Sequence, residues 1–106
     1  MGFFSSFSSI GKIYDKLKVI ERDLADMQEC LQNPYRRSGF NSASSQGLQH
    51  LKELMALVNN SGNTVQCADF EFAGQKCPIA NHVYAISEYM KQMMAEYTFN
   101  CNNNFS

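Results

Sequence analysis

The sequence predicts a mainly α-helical protein: a three-helix bundle, or a helical hairpin with coiled-coil-like seams, in a single domain of residues 1–106. Two long apolar seams, one near each end of the chain, predict helices because their members recur at steps of three and four residues. Between the second and third helices, two-residue alternation near residues 64–73 predicts a short extended or strand-like segment. A chain of this length can bury a core of only modest depth.

The first helix is predicted over about residues 9–32. Either Ser8 or Ser9 can cap its start. Asn33 precedes Pro34 and marks its end, because the residue before a proline avoids helical angles. Its apolar seam consists of Ile10, Ile13, Leu17, Ile20, Leu24, Met27 and Leu31.

Two further helices follow a predicted loop at Tyr35–Ser45, which is rich in Ser, Gly and Asn. The second is predicted at about residues 46–59, with apolar positions Leu48, Leu51, Leu54, Met55 and Val58. The third is predicted at about residues 78–99, beginning with Pro78 at the first helical position. Its seam consists of Ile79, Val83, Ile86, Met90, Met93 and Tyr97. The polar tail, residues 100–106, is expected to fray.

The strand-like segment carries apolar side chains on one side and acids on the other. Its apolar residues are Ala68, Phe70 and Phe72, which alternate with Asp69 and Glu71. A lone strand leaves backbone groups unpaired, so it needs a short return segment, a second copy of the chain or a partner. The alternative is an extended loop that places both phenylalanines under the bundle.

Composition and spacing disfavour several functional classes. The net charge is −1 and the basic residues are scattered, which disfavours a nucleic-acid binder. No pair of Cys or His residues has the spacing of a zinc site, and no cofactor or catalytic motif stands out. We therefore predict no metal, no cofactor and no enzymatic activity. No apolar stretch is long enough to cross a bilayer, and no signal-peptide pattern is present, so a cytoplasmic protein with reduced thiols is expected.

The first helix carries its charges in the order that opposes the helix dipole. Lysines lie in its first half and acids in its second. An antiparallel neighbouring helix or an anionic membrane would compensate. Apolar residues outside the seams also suggest an exposed interface. These features predict a small non-enzymatic interaction protein that self-associates as a homodimer or docks to a protein partner. The predicted interaction residues are Phe3, Phe4, Phe7, Ile10, Ile13, Leu17, Ile20 and Leu24.

Two alternatives remain open. Residues 1–18 combine aromatic residues with lysines, which is typical of a segment that lies on a membrane surface, and Gly2 fits the loose pattern for acylation. A thiol-dependent redox protein is the second alternative. Cys77 lies where a helix start favours the thiolate, and Cys67 would be its natural disulfide partner in an oxidising compartment. Because His82 is five residues further on, we expect it to point elsewhere and not to serve as a base for Cys77.

Overall fold

The structure, a computed structural model, describes residues 2–103, with side chains described for residues 9–102. It is mainly α-helical, as predicted. The helices are α1 (Gly2–Gln32), α2 (Phe40–Asn59), α3 (Asn63–Cys67) and α4 (Ile79–Asn103). A 3-10 helix (Pro34–Gly39) joins α1 to α2, and two strands, β1 (Asp69–Phe72) and β2 (Gln75–Pro78), precede α4.

Helices α1 and α2 pack antiparallel. Lys16 Nζ, in the first half of α1, lies 2.5 Å from Glu53 Oε1, near the end of α2. Asp23 Oδ2, further along α1, lies 2.6 Å from Nδ1 of His50, which precedes Glu53 on α2. The neighbouring helix that compensates the reversed charges of α1 is therefore α2 of the same chain.

Helix α4 runs antiparallel to α2 and parallel to α1. At one end of the bundle the rings of Phe40 and Tyr97 stack with centroids 4.4 Å apart. The hydroxyl of Tyr89, near the middle of α4, donates to Gln28 near the end of α1 at 3.0 Å. The two parallel helices are thus offset along the bundle axis. This offset explains a molecule 60 Å long, since α1 alone would span about 46 Å at 1.5 Å per residue.

The core forms where the predicted seams meet. All members of the first and third seams are buried or half-buried. The buried hydrophobic residues are Ile13, Leu17, Ile20, Met27, Cys30, Leu31, Phe40, Leu51, Leu54, Val65, Phe70, Ile79, Ile86, Met90 and Met93. The two heptad-like patterns are therefore confirmed as the inner faces of α1 and α4.

The prediction of a loop at Tyr35–Ser45 is wrong. The Asn33 side chain accepts a hydrogen bond from the Tyr35 backbone N–H at 3.0 Å and caps the 3-10 helix, from which α2 continues at Phe40. Phe40 is 1% exposed. Burying this ring against Tyr97 outweighs the weak helix preference of the serines and asparagines around it, because tertiary packing supplies most helix stability in proteins.

The predicted buried stripe of α2 is also partly wrong. Leu51 and Leu54 are buried as expected, but Leu48 and Met55 are 37% and 45% exposed. Small residues share the buried face instead: Ser44 and Gly47. Hydrophobicity alone misses such positions, because their value lies in letting helices approach closely.

The strand-like segment is a β-hairpin closed within the chain. Strands β1 and β2 pair antiparallel, with Phe70 opposite Cys77 and Phe72 opposite Gln75. Ala73 and Gly74 form the two-residue turn with φ angles of 55° and 80°, as a type I′ turn requires. The return segment was one of the predicted ways to pair the strand. The alternative of an unpaired extended loop is wrong.

Three helix boundaries besides the start of α2 differ from prediction. Helix α1 begins at Gly2 and not near residue 9. Pro78 closes β2, so α4 begins one residue later than predicted and continues to Asn103, through part of the tail expected to fray. The short α3 was not predicted; it buries Val65 in the core.

Candidate functional site

Five of the eight predicted interaction residues pack inside the chain. Ile13, Leu17 and Ile20 are at most 2% exposed. Ile10 and Leu24 are half-buried against the same core. Their burial accounts for the first seam without a second chain. The other three, Phe3, Phe4 and Phe7, lie outside the residues whose side chains are described, so their predicted role stays a prediction.

Exposed apolar side chains lie along α2 and the start of α4. Leu48 and Met55 are seven residues apart on α2 and therefore share one face of it. Met55 and Val58 meet Ala80 and Val83 of α4 around a cleft of about 150 Å³. We call the surface formed by Leu48, Met55, Val58, Ala80, Val83 and Tyr84 the outer face.

Tyr84 extends the outer face along α4. It follows Ala80 by one helical turn and is 69% exposed. The other apolar residues outside the seams leave less surface than the sequence suggests. Cys30 is buried, and Val19, Leu57 and Met94 are half-buried. Tyr89 is 42% exposed, and its hydroxyl donates a hydrogen bond to Gln28.

A thiol and an imidazole meet where the hairpin joins α4. Cys77 lies in β2, and its Sγ is 3.4 Å from Nε2 and 3.7 Å from Nδ1 of His82. Cys77 is half-buried, whereas His82 is 3% exposed. The expectations that Cys77 starts the helix and that His82 points elsewhere are both wrong. The hairpin turns the strand back over the first turn of α4 and brings the two side chains into contact.

The backbone of β1 determines the tautomer of His82. Its Nε2 lies 2.5 Å from the carbonyl oxygen of Phe70, and a carbonyl can only accept, so Nε2 carries the proton. In the neutral ring Nδ1 is then an acceptor. A sulfur nearly equidistant from both nitrogens must lie off the ring plane, because in the plane it would overlap the carbon between them. The Phe72 ring packs edge-on against His82, with centroids 5.8 Å apart.

The remaining cysteines have different surroundings. All four are free thiols, including Cys67 and Cys77, the pair predicted to join in an oxidising compartment. Cys30 is buried and Cys67 is exposed. A hydrogen bond with Cys101 raises the pKa of Tyr97 above its ordinary value, and burial of the ring contributes in the same direction.

A second histidine takes part in a polar contact between α1 and α2. Nδ1 of His50, whose side chain is 27% exposed, donates a hydrogen bond to Oδ2 of Asp23, whose side chain is 7% exposed. Beside this pair, an added Cβ at Gly47 would lie 3.5 Å from Cβ of Asp23. Sequence reasoning missed the pair, because its two residues are distant along the chain and only the packing of the helices brings them together.

Comparison with family models, with curated proteins and with solved structures found no match. Within the part of the chain that the structure describes, no helix has the length and apolar character needed to cross a membrane. The same residues contain no cluster of three or more His, Cys, Asp or Glu side chains arranged to hold a metal ion.

Proposed function

We propose that this protein is a small non-enzymatic interaction module that pairs with a second copy of itself through the outer face of α2 and α4. One observation carries the proposal. The seams of α1 and α4 pack into one core, yet Leu48 and Met55 of α2 and Tyr84 of α4 stay between 37% and 69% exposed, and Met55 borders the cleft that α2 forms with α4. Grouped apolar exposure of this kind is typical of an interface.

Charge favours a second copy as the occupant. The chain has a net charge of −1, so two copies repel each other little, and proteins near neutrality tend to associate. Lys52 lies between Leu48 and Met55 on α2, and Glu88 follows Tyr84 by one turn on α4. Laying α2 of one copy across α4 of the other would pair Lys52 with Glu88 twice, as two-fold symmetry requires.

Aromatic and thioether side chains suit such a contact. Tyr84 offers a large apolar ring with a hydroxyl that stays satisfied at the rim of an interface. Met55 adapts its flexible side chain to an irregular partner surface. Both residues are therefore expected at the centre of the pairing.

Sedimentation equilibrium at tens of micromolar tests the proposal. The wild-type protein is expected to show a dimer, and Met55→Lys is expected to shift it to monomer, because the substitution places a charge in the apolar contact. Tyr35→Lys is the matched control: Tyr35 is 94% exposed on the 3-10 helix, outside the outer face. It should leave the dimer intact.

Two outcomes would contradict the proposal. One is a wild-type monomer throughout this concentration range. The other is a Met55→Lys variant that remains as dimeric as the wild type while circular dichroism shows both to be folded.

A further inference from the structure

The contact between Cys77 and His82 supports an inference that is independent of the outer face. We propose that Cys77 is an oxidation site: a nucleophilic thiol that transfers its proton to His82 and reacts with small uncharged peroxides. A nucleophile in contact with a base, itself oriented by a third group, is the arrangement by which proteins activate thiols. Here the third group is the carbonyl oxygen of Phe70.

The tautomer of His82 directs the proton. Because Nε2–H donates to the Phe70 carbonyl, the ring nitrogen left to accept a proton is Nδ1, 3.7 Å from Sγ of Cys77. The resulting imidazolium keeps its bond to the carbonyl and places a positive charge beside the thiolate. The sulfur must move into the ring plane for the transfer. Such alignment commonly tightens only when a reactant is bound.

The other three cysteines do not share this environment. Cys30 is 2% exposed and shielded from solvent reactants. Cys67 is exposed, but neither histidine among the described residues contacts it, since His50 bonds Asp23. Cys101 interacts with Tyr97, a phenol that stays protonated at neutral pH. Cys77 alone in the described chain combines access with an imidazole.

Burial limits the size of the reactant. Cys77 is half-buried and His82 is 3% exposed. Hydrogen peroxide is small and uncharged, so it can reach a partly covered thiol without leaving a charge unpaired beside apolar side chains.

The chemical step balances without another reactant. The Cys77 sulfur attacks one oxygen of the peroxide, the S–O bond forms and the O–O bond breaks. The thiol proton, held by His82, passes to the leaving oxygen. The sulfur is oxidised to a sulfenic acid, and hydrogen peroxide is reduced to water.

Differential labelling of the whole protein tests the proposal. The protein is treated with hydrogen peroxide for increasing times, the remaining thiols are alkylated under denaturing conditions, and mass spectrometry measures the oxidised fraction at each cysteine. Cys77 is expected to oxidise about tenfold or more faster than Cys67, a modest share of the 10²–10⁴-fold that a positioned base contributes. Equal or faster oxidation of the exposed Cys67 would overturn the proposal, and this comparison needs no variant.

Two histidine variants test whether His82 is the cause of the faster oxidation of Cys77. His82→Gln should slow Cys77 to the rate of Cys67, whereas His50→Gln makes the same chemical change elsewhere and should leave the Cys77 rate unchanged. Thermal melts check that both variants are folded. If the folded His82→Gln variant still oxidises at Cys77 as much faster than at Cys67 as the wild type does, His82 does not take the proton and the proposal fails.

Discussion

At the scale of single residues, Gly47 illustrates how a position without a side chain sets the spacing of three helices. An added Cβ there would lie 3.2 Å from Cε of Met90 and 3.4 Å from Sδ of Met27. These atoms belong to α4 and α1, so the glycine of α2 lies at their junction. Gly11 of α1 differs, because an added Cβ there meets no described atom within 4 Å.

Leucine substitutions at the two glycines should therefore have opposite effects. Gly47→Leu should lower the free energy of unfolding by about 1–3 kcal/mol, because the inserted side chain forces the helices apart. Gly11→Leu should raise it by about 0.5–1 kcal/mol, because glycine weakens an exposed helix. Urea denaturation measures both. Equal losses at the two positions would show that helix propensity, and not packing, dominates at Gly47.

At the scale of elements, polar contacts link α1 to α2 beside the apolar core. Hydrogen bonds from Lys16 and then Gln49 hold the pKa of the Glu53 carboxyl below its ordinary value. A carboxyl with a lowered pKa in the folded state contributes stability above its unfolded pKa. That contribution is lost as the pH falls through the folded pKa.

The acid side of the stability profile should show this contribution. Glu53→Gln should be less stable than wild type near neutral pH. The difference should shrink as the pH falls below the ordinary pKa of 4.5 and vanish in stronger acid, where wild-type Glu53 is also uncharged. Urea titrations from pH 7 to pH 3 would measure it. A difference that stays constant over this range would mean that the carboxylate charge does not matter.

The start of α2 shows why an element can escape sequence reasoning. Serines, asparagines and a glycine surround Phe40, and their local preferences favour a turn. The deciding interaction is the stacking of Phe40 on Tyr97, far along the chain. The seams of α1 and α4 were predictable because their apolar residues are large and regularly spaced. The outer face was not, because Leu48 and Met55 have the same pattern as buried residues.

At the scale of the whole molecule, one core stabilises a narrow bundle 60 × 20 × 19 Å in extent. Leu17 of α1 and Ile86 of α4 are each 2% exposed and contribute to this core. Arg36 lies at the surface of the connecting 3-10 helix, where it pairs with the half-exposed Glu29 at 2.8 Å. Substitutions at these three positions therefore compare how much buried and exposed side chains contribute to the free energy of unfolding.

Alanine substitutions should follow that division. Leu17→Ala and Ile86→Ala should each cost about 2–5 kcal/mol, a large part of the 5–15 kcal/mol typical of a small domain. Arg36→Ala should cost about 1 kcal/mol or less, since exposed ion pairs contribute little. Thermal and urea denaturation would measure all three. Similar losses in all three variants would contradict the division into core and surface.

For the candidate site, the sequence singled out Cys77 but not its partner. His82 was expected on another part of the helix surface, because spacing within α4 describes only that helix. The hairpin, folded back over the start of α4, supplied both the Cys77 sulfur and the Phe70 carbonyl that His82 contacts. Contacts between elements depend on tertiary packing, which spacing along one element does not encode.

The sequence by itself determined the helical class, the inner faces of α1 and α4 and the presence of a strand, because each depends on the periodicity of large apolar residues over a few turns. Only the tertiary structure decided that these seams meet within one chain, that α2 begins at Phe40, and that two histidines find partners in Asp23 and Cys77. The physical reason is distance along the chain. Periodicity is a property of residues that are close in the sequence, whereas burial, close approach and hydrogen bonding depend on distant residues that only folding brings together.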